Sequence, residues 1–579
     1  MDFSLLAEVF ERIEATRKRL EYTKELAKLF AAAKPSEVRR LAYLCNGILL
    51  PQHEGIDLGV GDKLAEQSIS LVSGKSVKEV ETVFRRKGDL GEAAQELLHK
   101  KTQLTLSAHA LSLEKVYDNL MRVATASGVG SQETKVKLLA ELLSNASPNE
   151  ARVIVRLVQG SLRMGVGEST VLDTLSVAKA GDKSLREELE RAFNLTSDIG
   201  LVAESFFEKG IDGVRKVKPI PFNPIRPALA GRLPGAKEIF EKLGECAAEG
   251  KYDGLRLAIH KSGERVEIFS RKQEKMTHMF PDVVTAVRKQ VRAREAIFEG
   301  EAVAFDECTK RFLPFQETIQ RKRKHGVGAK AKELPLHVFA FELLYCDGKD
   351  LTRLPYSERR AELAAVIKQG ETIELAKNII AKSALALKSF FDECVSAGLE
   401  GIIAKDLSAP YTAGTRKFAW IKLKKSYQTE LADSLDLTIV GYYIGKGKRT
   451  QFGFGGLLAA AYGPRENSFR TVCKIGTGFS EERMKEFKQM LSEIEVAKKP
   501  DNVDSVLVPS KWVKPRYVVS VTADEITQSP THTCCRKGNQ GLALRFPRFK
   551  ELRTDKNPED ATTEDEVMEL YEMQGQKNG

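Results

Sequence analysis

Between Lys216 and Pro234 the chain carries Pro219, Pro221, Pro224 and Pro227 and no helical period, and this passage separates two kinds of sequence. Before it, apolar residues recur at three- and four-residue steps, as in Leu6, Val9, Phe10, Ile13 and Leu20 within Leu5–Phe30, which predicts helices. Ser147-Pro148-Asn149-Glu150 is a helix start, with Ser as N-cap, Pro in the first turn and Glu three residues on. After the prolines, short β-like runs alternate with helices: Leu255–His260, Arg265–Phe269, Ala296–Ala304, Leu336–Leu344, Gly401–Lys405 and Ala419–Lys424. From about Leu431 strand and turn dominate, in Leu437–Ile444, Leu457–Tyr462, Phe469–Ile475 and Tyr517–Ala523, and a closing helix is expected at Asp565–Met573. A chain of 579 residues exceeds one core. The expectation is therefore a multidomain protein: an all-α domain over 1–217, an α+β antiparallel-sheet domain over 218–427, and a small β-barrel over 428–579.

Lys plus Arg exceeds Asp plus Glu by 11, which favours a polyanionic partner without naming it. The start, Met1-Asp2-Phe3-Ser4, lacks the plan of a signal peptide, and no apolar run approaches the ~20 residues needed to span a bilayer. The eight cysteines show no C-x-x-C spacing and read as reduced thiols of a cytoplasmic or nucleoid-associated protein. His532-Thr533-Cys534-Cys535 has no second half at zinc-like spacing and reads as an ordinary loop. The glycines and hydroxyls of Gly160–Thr170, around Arg163, suit either a phosphate or a helix-to-helix turn. Gly445-Lys446-Gly447-Lys448-Arg449 suits either phosphate contact or a solvated hairpin tip.

Lys251-Tyr252-Asp253-Gly254-Leu255-Arg256 stands just before a β run. A neutral amine there can attack phosphorus, provided desolvation and neighbouring cations pull its pKa below the usual ~10.4. Alone, K-x-D-G recurs by chance, and a strand end with an Asp-Gly turn is the plain reading. The segments downstream of it, taken in their order along the chain, outweigh that reading. The chain resembles the covalent nucleotidyltransferase superfamily, and within it the ATP-dependent DNA ligases of the archaeal and eukaryotic replicative type. Lys251–Arg256 is similar to the family's adenylation motif, with Glu249 placed as acceptor for the adenine amino group. Ser270-Arg271 resembles the next motif, and Phe298-Glu299-Gly300-Glu301 resembles an acidic strand that usually reads D-G-E, with Glu299 in place of Asp and Glu301 as the carboxylate. Pro314-Phe315-Gln316 and Arg321–Lys324 are similar to a segment of the replicative ligases. Phe341 stands where the family stacks an aromatic on adenine. Glu400-Gly-Ile-Ile-Ala-Lys405, Arg416, and Trp420-Ile-Lys422-Leu-Lys424-Lys425 complete that pocket, and Arg545-Phe-Pro-Arg548 with Arg553-Thr-Asp555-Lys556 resembles the C-terminal motif.

The resemblance implies a helical DNA-binding domain, an adenylation domain and an oligonucleotide-binding (OB) fold closing round nicked duplex DNA. It implies ATP as AMP donor and Mg²⁺ held by Glu301 and Glu400, with Lys251 as nucleophile and Asp253 positioning the acceptor or a metal in the later steps. The nucleotide would be held by Glu249, Arg256, Arg271, Glu301, Phe341, Arg416, Lys422, Lys424, Arg545, Arg548, Arg553 and Lys556. These residue types suit transfer at an α-phosphate, which needs cations at the oxygens, a hard metal and in-line placement. The expected activity is nick sealing in replication, repair, recombination and cell division, by a monomer. The alternatives are an RNA ligase, a capping-type nucleotidyltransferase or a non-catalytic DNA-binding scaffold. Replicative ligases of this type often carry a Gln-led, aromatic-ended sliding-clamp motif. Gln103-Leu104-Thr105-Leu106 lacks the aromatic pair, so only a feeble clamp contact is expected there.

Overall fold

A computed structural model describes every residue except 17–18, 57, 100–109, 161, 163, 165, 307–310, 314, 324, 369, 416, 425–433, 446, 465 and 577–579. Gln103–Leu106, Arg163, Arg416 and Lys446 therefore lie outside the described residues. Two compact units are formed, one by residues 1–232, 239–390 and 403–422, the other by residues 233–238, 391–402 and 423–579.

The described residues up to Arg215 form a series of helices from Phe3–Ala15 to Ile199–Arg215. Leu6, Val9, Phe10 and Ile13 lie inward as their spacing predicts, but Leu20, in the following helix Arg19–Ala32, is 69% exposed. The helix Pro148–Val158 starts as its sequence foretells: the Ser147 hydroxyl accepts the Glu150 N–H, and the Glu150 carboxylate accepts the Ser147 N–H. Every residue from Glu150 to Val158 is buried, so this helix is the core of the helical region.

The proline-rich passage does not hang loose. Within the first unit the Asn194 carbonyl accepts the Arg226 N–H at 2.8 Å, Ser197 Oγ donates to the Pro224 carbonyl at 2.6 Å, and the Phe222 N–H donates to His260 Nδ1 at 3.0 Å. Two sheets come after it. One runs in the order Gly231–Arg232, Trp420–Lys424, Gly401–Asp406, Cys246–Lys251, Asn378–Ala381. The other runs Arg265–Ser270, Leu255–Ser262, Glu295–Asp306, Leu336–Cys346, Lys349–Asp350, with antiparallel neighbours throughout that order. The short strand Ile373–Leu375 joins its side in parallel. Leu257, Ile259, Phe298, Val338 and Phe280 fill the core beneath this second sheet.

In the second unit, Leu435–Tyr443 pairs antiparallel with Gly456–Gly463, Lys511–Val513 and Val518–Thr522. Arg548–Arg553 pairs with Val518–Thr522, and Glu525–Ser529 with Gly541–Arg545. Helix Glu481–Ser492 packs Phe487 into a ring cluster with Phe454, Phe479 and Phe549. The chain closes on the helix Glu564–Gln576.

Candidate active site

Lys251 ends the strand Cys246–Lys251, and Tyr252-Asp253-Gly254 turns the chain into Leu255–Ser262. The glycine is dictated by space: a Cβ at 254 would sit 2.3 Å from the Ala302 carbonyl oxygen. Tyr252 is buried and stacks on Phe339, with centroids 3.8 Å apart and planes at 8°, which holds the turn from the other side.

Glu249 lies two residues before Lys251 on the same strand and is buried. Tyr356 OH donates to it at 2.5 Å, Lys405 Nζ lies 2.6 Å away and Arg360 Nη1 3.5 Å. Lys405 is itself buried, boxed by the rings of Trp420, Tyr356 and Phe341 at 4.2, 4.8 and 5.1 Å, and donates to the Phe341 carbonyl at 3.0 Å. Burial pulls the Lys405 ammonium below its ordinary pKa even beside the Glu249 carboxylate, and burial together with that carboxylate pushes the Tyr356 phenol well up.

Arg256 makes a bidentate pair with buried Glu299, its Nη2 2.9 and 2.8 Å from the two carboxylate oxygens, and Tyr411 OH donates to the same carboxylate at 2.9 Å. The Arg256 guanidinium lies 5.4 Å from the Phe341 ring and 5.6 Å from Trp420. Glu299 thus orients Arg256, which explains an acidic residue at that place in the strand. Phe341 is half-buried, edge-on to Trp420. Glu301 is half-buried and sits in register with Arg256 on one neighbouring strand and Phe339 on the other. Arg271 is exposed in the turn after Arg265–Ser270, and half-buried Lys422 is in register with Arg232.

Glu400 and Lys424 form an ion pair with each other. In the second unit Arg545 pairs with Glu525 at 2.8 Å and Arg548 with Asp524 at 3.0 Å. Arg553 pairs with Asp436 and Asp555, both at 2.7 Å, and Lys556 with Asp436 at 2.9 Å. All four cations of this group are half-buried. Sequence reasoning does not single out Tyr356, Arg360, Tyr411 or the role of Lys405. Lys405 has a signal, a lysine ending an otherwise apolar β run. The other three stand in segments with nothing unusual about them.

Three family models match in order: the DNA ligase N terminus over residues 2–176, the ATP dependent DNA ligase domain over 227–424, and the ATP dependent DNA ligase C terminal region over 450–556. The chain is 46% identical to a probable DNA ligase of Dictyoglomus thermophilum, over 99% of this chain and 98% of that one. It is 42% identical to a DNA ligase of Nitrosopumilus maritimus and 41% identical to one of Saccharolobus solfataricus, in both cases over 100% of this chain and 98% of the relative. Among solved structures, the chain described as Pmar-Lig_Pre matches with a TM-score of 0.53 at 16% identity, covering 95% of this chain and 99% of that one, a likeness of fold.

Proposed function

The chain belongs to the ATP-dependent DNA ligase family, and from that premise we propose how its own residues divide the work. It is an ATP-dependent DNA ligase that takes AMP from ATP, and its family implies a lysyl-AMP intermediate. In our assignment the neutral Lys251 amine attacks the α-phosphorus of ATP; an N–P bond forms and pyrophosphate leaves. The 5′-phosphate of a nick in duplex DNA then attacks the same phosphorus, which frees Lys251 and leaves the strand adenylated. The 3′-hydroxyl attacks the nick's phosphorus, the phosphodiester forms and AMP departs. Asp253, in the turn beside Lys251, positions the acceptor in these last two steps.

The observation that carries the assignment is the single strand bearing both Glu249 and Lys251. Its far end is a turn that admits only glycine, and its acid is held still by buried Lys405 and Tyr356. Glu249 faces the adenine amino group in this reading, while Phe341 and Arg256 border the base and ribose. Arg271, Arg416, Lys422 and Lys424 supply charge to the phosphates. Glu301 and Glu400 are carboxylates, the hard oxygen donors that suit Mg²⁺, which when bound supplies Lewis acidity at the phosphate oxygens. We further propose three domains over 1–217, 218–427 and 428–579. The strand Leu435–Tyr443, paired with three others, supports reading the last as an OB fold. Contact with a sliding clamp through Gln103–Leu106 is proposed to be feeble.

The test is incubation with α-labelled ATP and Mg²⁺, followed by nicked duplex. Label is expected to pass from protein to DNA to free AMP, and Lys251→Ala is expected to take no label while still binding DNA. Labelling of that variant at the wild-type level, or labelling from GTP instead of ATP, overturns the assignment.

A further inference from the structure

We propose that Cys534, Cys535 and Glu564 form a binding site for one thiophilic divalent metal ion of the zinc class, separate from the chemistry at Lys251. The cysteines stand between the strands Glu525–Ser529 and Gly541–Arg545, and Glu564 opens the C-terminal helix. The second half of the site comes from the fold, 29 residues further along the chain, where sequence spacing gives no hint of it. A ligand atom from each of the three residues lies within 4.8 Å of the others. The two sulfurs are 3.6 Å apart. Two thiolates each ~2.3 Å from a tetrahedral zinc lie about 3.8 Å apart, so the pair already has the bite of a chelate.

The loop is held in that shape without an ion. Cys535 has a left-handed φ of +52°, uncommon for a side-chain-bearing residue. Its N–H donates to Glu564 Oε1 at 2.6 Å, its thiol donates to the Glu564 carbonyl at 3.1 Å, and the Cys534 N–H donates to the Thr471 carbonyl at 3.1 Å. Arg470, 3.4 Å from Glu564 Oε2 and also paired with Glu466, places a positive charge beside the carboxylate. Cys534 is fully buried and Cys535 half-buried, so the ion enters past Cys535, and a fourth position stays open to water. Soft thiolates discriminate against the Mg²⁺ of the ligation reaction. The bound ion ties the start of the C-terminal helix to the loop beneath it.

The experiment titrates reduced full-length protein with Zn²⁺ against a competing chromophoric chelator in millimolar Mg²⁺. One equivalent is expected to bind to the wild type and to be lost in Cys534→Ser/Cys535→Ser. Glu564→Gln is expected to bind at least ~10–100-fold more weakly, the loss that results from removal of even an outer partner of a metal site. A second measurement covers a double variant that fails to fold: alkylation of Cys535 in the wild type, read by peptide mass, is expected to be blocked by one equivalent of Zn²⁺. Unchanged alkylation of Cys535, or full-affinity binding in a folded double variant, overturns the proposal.

Discussion

The ions around Glu249 and those of Arg545–Lys556 are alike in kind and opposite in construction. Glu249, Lys405 and Glu299 are buried among rings and backbone, with Lys405 1% exposed and Glu249 2%, and half-buried Arg256 caps Glu299. Arg553 and Lys556, half-buried in another unit, both pair with the one buried carboxylate Asp436, so that removing either leaves it the other. A buried pair is costly to open, because removing one partner strands a charge where water cannot reach it. Asp436 keeps one cation when the other leaves, so losing either strands no charge. In the proposed assignment the first construction fixes the base-binding edge in one geometry, and the second holds two cations on one carboxylate, from which either can pass to a phosphate.

The contrast breaks most visibly in kinetics. Arg553→Ala or Lys556→Ala is expected to slow enzyme–AMP formation by orders of magnitude if, as the resemblance to the family's C-terminal motif implies, these cations act while pyrophosphate leaves. Both variants are expected to seal a chemically pre-adenylated nick at a near-normal rate. Equal loss in single-turnover assays of both steps would show that the group serves the fold or DNA binding instead. Next in size is stability. Lys405→Met leaves the buried Glu249 carboxylate with Tyr356 and the more distant Arg360, and is expected to cost about 3–5 kcal/mol in denaturant unfolding. Arg553→Ala is expected to leave that unfolding curve in place, and a shift of similar size for both variants would erase the distinction between the regions. The smallest effect is in pH. Burial holds His260 down at about 3 and His532 at about 4, so both are neutral in the folded chain. The unfolded chain protonates near 6.5, so stability is full above that pH and is lost as pH falls from 6.5 towards 3. His260→Asn is expected to flatten the fall in melting temperature over that range, and an unchanged slope would show that other groups govern it.

Much of this was legible because it rests on apolar period. The runs at Leu255, Arg265, Ala296, Leu336, Gly401 and Trp420 are strands within a residue or two of their expected bounds, and the closing helix is Glu564–Gln576. The strand that ends on Lys251 was not legible. Cys246-Ala-Ala-Glu-Gly-Lys251 has little β preference, and neighbouring strands on both sides make it a strand. Leu20 keeps the helical period yet faces solvent, since a period locates a face without saying how wide it is. The helix Glu481–Ser492 is mostly polar and was hidden inside a stretch of strands. At the site, the ordered motifs pointed to Glu249 and Lys251. The partners that hold Glu249 come from Tyr356, Arg360 and Lys405, more than a hundred residues away, where only the fold can bring them.

That strand order has a consequence for a chain still being made. Cys246–Lys251 lies between Asn378–Ala381 and Gly401–Asp406, so neither of its edges has a neighbour until some 130 further residues have left the ribosome. Strand pairing over such a separation is slow and comes late in folding. Lys251, the proposed nucleophile, is thus synthesised long before its strand has either neighbour, and a chain ending short of residue 406 is expected not to take AMP from ATP.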